Sequence, residues 1–271
     1  MRRARQRCLK RARLPDCTSR NYGADNLSIF PRVQIINSII NGPDACSYLS
    51  GQYSAMQYAQ IGEMSPGDYT ERLERGWFKF GAFLQRPLCH WCRMCFSMRV
   101  PLEEWKPSRS QRRVLKRNAE LELKVSSPPV LGTDRVLLHN RYRQAKHALY
   151  GWQPNYLTEA GYQSEFIRGP APMTEISIWE NGRLISVLMA DVEPEVITAV
   201  THFHDPSLWR RSIGLYTVLQ SFLLGQRLGK KWLYLGYYVP HSPSMGYKQQ
   251  FKPCELRQWN GEWRRQDSPK K

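Results

Sequence analysis

The pair Asn181-Gly182 constrains this chain more than any other feature. It stands between E-I-S-I-W-E and R-L-I-S-V-L-M-A-D-V, two runs in which apolar residues recur at a period of two. Both turn residues tolerate positive φ, as a two-residue hairpin requires, so the runs pair as antiparallel strands. A short E-P-E turn leads to a third strand, V-I-T-A-V-T-H-F-H from Val196. From Gly214 to Leu228 apolar residues fall at 215, 218, 219, 222 and 223, the spacing of one helix face, and Gly229 closes it. K-W-L-Y-L-G-Y-Y then returns as a strand. A helix between two strands is a crossover, and crossovers join parallel neighbours. The pattern predicts an α/β (α+β) layer on a mixed sheet.

The second constraint lies between Arg86 and Arg117. Cys89, Cys92 and Cys95 form a C-x-x-C-x-x-C run directly ahead of Lys106, Arg109, Arg112, Arg113, Lys116 and Arg117. Thiolates at this spacing can share one metal or one redox site. Zinc needs a fourth ligand, for which Cys46 is the candidate; an iron–sulfur cluster and free, packed thiols are the other options. The basic residues keep several cations on one side of a helix. Trp91 and Trp105 beside them offer stacking faces for bases. A solvated helix face is the alternative. Lys and Arg total 40 against 23 acids, a net charge of +17, and the clustering of that excess points to a polyanionic partner.

Three regions follow. Residues 1–26 are Arg-rich with almost nothing apolar and are expected to form a disordered basic leader, either a transit segment or an extension. Residues 27–117 form an N-terminal, Cys-containing domain with the basic run. Here Asn41-Gly42-Pro43-Asp44 signals a turn, Ser65-Pro66-Gly67-Asp68 starts a short helix, and Gly76 caps it. Residues 118–271 form the domain that holds the mixed sheet. It opens on the strand L-E-L-K-V, and a helix from Asp134 to about Tyr150 carries Arg141, Tyr142, Arg143, Lys146 and His147. Thr158 or Asn155 caps a shorter helix ending near Arg168. No apolar run approaches the ~20 residues that span a bilayer. Seven cysteines, an odd number, do not read as a disulfide framework, which suits a reducing cytoplasm.

The strand order of the second domain is similar to the core of the Gcn5-related N-acyltransferase fold, in which the strands flanking the central helix splay apart around an acyl donor. Coenzyme A would need a Gly-rich phosphate loop at the start of that helix. Here D-P-S-L-W-R-R-S-I-G has one glycine and two arginines, which argues for a different phosphate-bearing donor. His202 and His204 share one face of a strand with no third ligand near. Any of Tyr234, Tyr237, Tyr238 and Tyr247 that points into the splay can donate a hydrogen bond to a carbonyl.

Seven blocks then carry a resemblance: Cys46-Ser47-Tyr48-Leu49, Arg86-Pro87-x-Cys89-x-x-Cys92-x-x-Cys95, Pro107 to Arg113, Asp205-Pro206, Gly214-x-Tyr216-x-Val218-Leu219, Tyr234 to Tyr238, and Met245-x-Tyr247-Lys248-x-x-Phe251-x-Pro253. Over about residues 28 to 265 the chain resembles the aminoacyl-tRNA–protein transferases, and its cysteine run and length are similar to the bacterial branch, the aspartate/glutamate leucyltransferases. Ser50, Leu215, Thr217 and Ser244 depart from that family's usual Pro, Thr, Asn and Lys. The resemblance implies transfer of leucine from leucyl-tRNA to the N-terminal α-amine of proteins beginning with Asp or Glu, which marks them for degradation in the N-degron pathway. It implies a cytoplasmic monomer, no membrane, and no cofactor for the chemistry beyond the aminoacyl-tRNA co-substrate.

An aminoacyl ester is already activated, and an α-amine of pKa ~7.7–8.0 is substantially nucleophilic at neutral pH. The work is then positioning, plus hydrogen bonds to the tetrahedral oxyanion, with no Ser-His-Asp triad. Tyr237, Tyr247 and Lys248 are the expected catalytic residues. Arg141, Arg143, Lys146, His147 and Tyr216 are expected at the substrate, where a cation, Lys248 among the candidates, would meet the acidic side chain. Arg109, Arg112, Arg113, Lys116 and Arg117, with Arg210 and Arg211, are expected on tRNA phosphates. An arginyl donor and a zinc-stabilised RNA-binding protein without transferase activity are the alternatives.

Overall fold

Two sheets, one small and one large, organise the chain, and the functional geometry comes from a single break in the large one. The computed structural model describes residues 35–62, 64–169 and 173–267. The basic leader, 1–26, and the residues up to 34 lie outside them.

The small sheet comprises β1 (Ile35–Ala45), β2 (Tyr53–Ile61), β3 (Phe78–Phe80) and β4 (Phe83–Pro87), ordered β1-β2-β4-β3, all antiparallel. The Asn41–Asp44 turn signal does not end a strand. β1 runs through it with a register shift between Asn41 and Asp44, and the reversal comes later, where the Cys46 N–H donates to the Gln52 carbonyl at 2.9 Å. Gly42 permits the bulge: its φ is +111°, and a Cβ there would lie 2.5 Å from the Ser54 carbonyl oxygen. Between β2 and β3, α1 (Pro66–Glu74) begins at a Ser65/Asp68 capping box, as the sequence predicts, and gives way to Gly76 at φ +82°.

The remaining elements are β5 (Phe96–Pro101), α2 (Arg109–Arg117), β6 (Glu122–Ser126), α3 (Thr133–Tyr150), α4 (Glu159–Tyr162), β7 (Thr174–Glu180), β8 (Arg183–Val192), β9 (Val196–His204), α5 (Ile213–Arg227), β10 (Trp232–Tyr238), β11 (Cys254–Arg257) and β12 (Trp263–Gln266). They build an eight-stranded sheet of order β12-β11-β5-β10-β9-β8-β7-β6. Asn181 and Gly182 make the β7–β8 turn at φ 49° and 76°, and β10 is parallel to β9, as the periodicity predicts. Every other neighbouring pair in this sheet is antiparallel, so the sheet is mixed and the fold is α+β.

β5 departs from expectation. It falls within the 27–117 stretch expected to form the N-terminal domain, yet it lies between β10 and β11 with Met98 and Val100 fully buried. Residues before 117 thus supply a strand to the sheet expected to begin at 118. α5 packs on one face of that sheet, with Leu219 and Phe222 in the same core as Ile176, Leu188, Ile197 and Leu233. Two buried charge clusters tie the small sheet and α1 to the large sheet. Arg99 on β5 pairs with Glu74 and Glu255 and lies 4.1 Å from the ring centres of both Trp232 and Trp263. Lys79 on β3 pairs with Asp191 on β8, both side chains 1% exposed.

The break is in the parallel pair. β9 and β10 match only over Val196–Trp232, Ile197–Leu233 and Thr198–Tyr234. Beyond that Gly236, at φ +70°, bends β10, and the register with β5 shifts between Tyr234 and Tyr237. Only a residue without a Cβ takes that backbone without strain. The two strands part.

Candidate functional site

The parting opens a cavity of about 540 Å³ whose lining includes β9, β10, α3, the turn after α4, the small sheet and the short 3₁₀ helix Gly246–Gln250. Leu188, Val200, Val218, Leu235 and Met245 make much of it apolar. Lys248 is its most consequential side chain. It is 7% exposed, and its Nζ donates to the Tyr237 carbonyl at 2.7 Å. Burial pushes its ammonium down to about 7, against a smaller opposing effect from Cys95. A lysine so placed donates a hydrogen bond whether or not it carries its extra proton.

The two tyrosines expected beside it are placed differently. The Tyr237 main chain faces Lys248, while its hydroxyl sits 3.1 Å from the Gly76 carbonyl and 3.0 Å from that of Gln85. That hydroxyl is a donor clasping β10 to the small sheet, not a group aimed at a reacting carbonyl. Tyr247 is 44% exposed and packs edge-on to Phe251 at 6.3 Å while lining the cavity. The Tyr234 hydroxyl bonds Glu74 and Arg99, outside the cavity.

Of the substrate set, α3 brings Arg143 into the lining. Its Nε donates to the Pro154 carbonyl at 2.9 Å, a second N–H reaches the Gln153 carbonyl, and the guanidinium lies 5.5 Å from the Trp152 ring centre. Lys146 rests over Tyr142, Tyr150 and Trp152, outside the lining, and burial lowers its pKa. Arg141 and His147 are exposed, the latter bonded through Nδ1 to the Trp152 carbonyl at 2.7 Å. Tyr216 is not at the cavity: α2 packs on α5, and Tyr216 is 4% exposed in the core with Val114.

His202 and His204 share one face of β9, as the alternation requires, and their rings stack at 5.0 Å. His202 Nε2 lies 3.1 Å from Ser186 Oγ, which accepts from Thr217 at 2.8 Å. Burial, then His204 and Lys146, hold His202 well below its ordinary value, and burial with Lys146 takes His204 to about 4. Both rings are neutral at physiological pH. Gly214 lets α5 start against them, since a Cβ there would lie 2.9 Å from His204 Cε1. The lining also includes residues that no local sequence pattern marks. Glu165, in the π turn Gln163–Ile167 after α4, is pushed up to about 7 by burial, with Arg143 opposing. His139 and Tyr142 of α3 line it too.

The basic run folds as the spacing predicts. Ser108 caps α2 by accepting from the Gln111 N–H, Gln111 and Val114 face inward, and Arg109, Arg112, Arg113, Lys116 and Arg117 are all exposed. Arg117 donates to the Arg210 carbonyl at 3.0 Å, which sets exposed Arg210 and Trp209 beside that face. Arg211 is engaged by Glu120 and Glu180 instead. Trp105 is no stacking platform: it is 1% exposed, 4.3 Å from Phe222. Trp91 is 89% exposed.

The four cysteines are half-buried and unbridged. They lie near one another, since Cys89, Cys46 and Cys92 reinforce the burial that pushes the Cys95 thiol up to about 12. Yet among the described residues no group of three or more His, Cys, Asp or Glu is gathered as a metal site. Nothing among the described residues supports a shared zinc or iron–sulfur site. Cys254 is buried, as expected. No helix among the described residues is long and apolar enough to cross a membrane.

Comparison with known proteins matches residues 44–113 to the family model described as arginine-tRNA-protein transferase, N terminus, and residues 134–258 to the one described as arginine-tRNA-protein transferase, C terminus. An aspartate/glutamate leucyltransferase of Acinetobacter baumannii is 33% identical over 83% of this chain and 83% of its own. One of Helicobacter hepaticus is 30% identical over 78% of this chain and 88% of its own. Among solved structures, L-PGS from Bacillus licheniformis aligns at TM-score 0.40 and 15% identity over 66% of this chain and 51% of that one.

Proposed function

We propose that this chain, which belongs to the arginine-tRNA–protein transferase family, transfers leucine from leucyl-tRNA to the N-terminal α-amine of proteins beginning with Asp or Glu. The observation that carries the mechanism is the parting of β9 from β10 beyond Thr198 and Tyr234, with Lys248 buried against the bend. We read the large sheet as Gcn5-related N-acyltransferase-like on that splay and on the hairpin–helix–parallel-strand order, and residues 27–117 as the Cys-containing N-terminal part.

The leucyl ester enters the gap between the strands. Its side chain meets Leu188, Val200, Val218, Leu235 and Met245, which suit an isobutyl group. An arginyl side chain would need a carboxylate there, and Glu165 is the one acid among the described lining residues. Lys248 Nζ supplies a hydrogen bond to the ester carbonyl oxygen as it becomes an oxyanion. The acceptor amine attacks that carbon, the carbon–nitrogen bond forms, and the bond to the ribose oxygen of the tRNA breaks. Because the ester is activated, orientation and oxyanion stabilisation carry most of the rate. The exposed face of α2, with Arg210 beside it, binds the tRNA phosphates. The protein acts as a cytoplasmic monomer, an oligomeric state read by size-exclusion chromatography with light scattering.

The test pairs leucyl-tRNA and arginyl-tRNA, each labelled on the amino acid, with peptides beginning Asp, Glu, Asn or Leu. Label moving from leucyl-tRNA to the Asp and Glu peptides alone supports the reading. Label moving from arginyl-tRNA instead assigns the arginyl donor, and no movement from either refutes the enzyme.

A further inference from the structure

We propose that Glu165 and Arg143 together read the two charges of the acceptor's first residue: Glu165 takes its α-ammonium and accepts a proton from it, and Arg143 takes its acidic side chain. This rests on the leucyl-transfer reading of the same cavity.

Glu165 is an acid in a wall otherwise built of apolar, neutral and cationic groups. Its carboxylate makes no hydrogen bond or ion pair among the described residues, although it is half-buried. A structural carboxylate in that setting would be paired. Backbone geometry adds a second sign. α4 does not continue as an α-helix through Glu165; the chain widens into a π turn over Gln163–Ile167, a feature concentrated at functional sites. Arg143, on α3, lines the same cavity and carries no ion-pair partner among the described residues. It is near enough to oppose the rise in the Glu165 pKa, yet the two form no salt bridge. Two opposite charges that face one cavity without closing on each other leave room for a ligand bearing both. An N-terminal Asp or Glu is such a ligand, with its ammonium and its carboxylate on one residue.

The remaining titratable groups around Glu165 do not compete for the role. Lys79 is held by Asp191, burial lowers the His139 pKa and keeps it neutral, and Tyr162, one turn earlier, is fully buried. Lys248 is bonded to the Tyr237 carbonyl. The step balances. The α-ammonium gives one proton to the Glu165 carboxylate, and the neutral nitrogen attacks the ester carbon. As the carbon–nitrogen bond forms and the carbon–oxygen bond breaks, a second nitrogen-borne proton passes to the departing ribose oxygen. Glu165 then returns its proton to solvent.

The experiment compares wild type, Glu165→Gln, Glu165→Asp and Arg143→Ala in leucyl transfer from leucyl-tRNA to an Asp-initiated peptide, across pH. Glu165→Gln should lower kcat/KM for the peptide ~100-fold at neutral pH, the usual size of a lost general base. The KM for leucyl-tRNA should not move. Above about pH 9 the acceptor amine is neutral without help, so the deficit should shrink there, which a merely structural defect would not do. Glu165→Asp should recover part of the rate. Arg143→Ala should raise the KM of the Asp peptide and erase its advantage over an Asn peptide. A Glu165→Gln enzyme within twofold of an active wild type, or one equally impaired at every pH, overturns the assignment. A wild type that moves no leucine overturns the transferase reading itself, and this assignment with it.

Discussion

A buried ammonium with a single carbonyl partner costs the folded state stability, and Lys248→Met measures that cost while keeping the aliphatic volume of the side chain. Burial lowers Lys248 from its ordinary 10.5 to about 7. At ~1.36 kcal/mol per pH unit, the folded protein carries a penalty of roughly 5 kcal/mol wherever this lysine keeps its proton, below pH 7. Met removes that penalty but leaves the Tyr237 carbonyl unpaired, which costs about 1–3 kcal/mol. The net expectation at pH 6 is a gain of about 2–4 kcal/mol. The folded pKa is depressed, so the folded state binds fewer protons than the unfolded one between about 7 and 10.5. Wild-type stability therefore rises with pH across that window, and the advantage of Met closes. Urea unfolding at both ends of the window, read as a change in midpoint at constant m, measures this directly. Transfer activity should fall by about 10²–10³, as for loss of one oxyanion donor. A variant less stable than wild type at pH 6, or one that retains transfer within a few-fold, would refute the reasoning.

Two further expectations follow from the structure. Asp191→Ala removes the fully buried carboxylate that pairs with the Lys79 ammonium and should cost about 3–5 kcal/mol, whereas the double change Lys79→Met/Asp191→Leu should recover most of it; calorimetric unfolding of the three proteins checks both. Arg112→Ala and Arg113→Ala should each weaken tRNA binding across all sequences and reduce the slope of log K against log salt by ~1, measured by filter binding, with the melting temperature unchanged because both side chains are exposed.

What was legible in the sequence was what local chemistry decides. The Asn181-Gly182 hairpin, the crossover through α5 and the Ser108-capped basic helix follow from φ preference, periodicity and capping, and each stands where those rules put it. β5 was hidden because its six residues sit among cysteines and arginines, and Arg99 interrupts its apolar run. Only the two tryptophan rings and two carboxylates gathered by the tertiary fold make that arginine a core residue. Gly42 shows the converse: a strong turn signal became a bulge because Ser54 on the neighbouring strand lies too close for any side chain. At the site, Lys248 lies in one of the family's motifs, whereas Arg143 comes from the cluster of cations on the helix that starts at Asp134. Neither a motif nor a place beside a basic run says whether an aromatic side chain faces a ligand or the core: Tyr216 and Trp105 are buried, and the Tyr237 hydroxyl is turned onto the Gly76 and Gln85 carbonyls. Glu165 left no local signal, because Q-S-E-F-I reads as an ordinary helix end until the π turn is seen.

The central claim is that the gap between β9 and β10 holds the ester, with its carbonyl oxygen against Lys248. A structure of the protein with a non-hydrolysable leucyl-adenosine amide tests it most directly. The account predicts the leucyl side chain among Leu188, Val218 and Leu235 and the carbonyl oxygen within hydrogen-bond distance of Lys248 Nζ, with the adenosine leading out of the gap. A ligand bound elsewhere, or bound in the gap with its carbonyl turned away from Lys248, would contradict it.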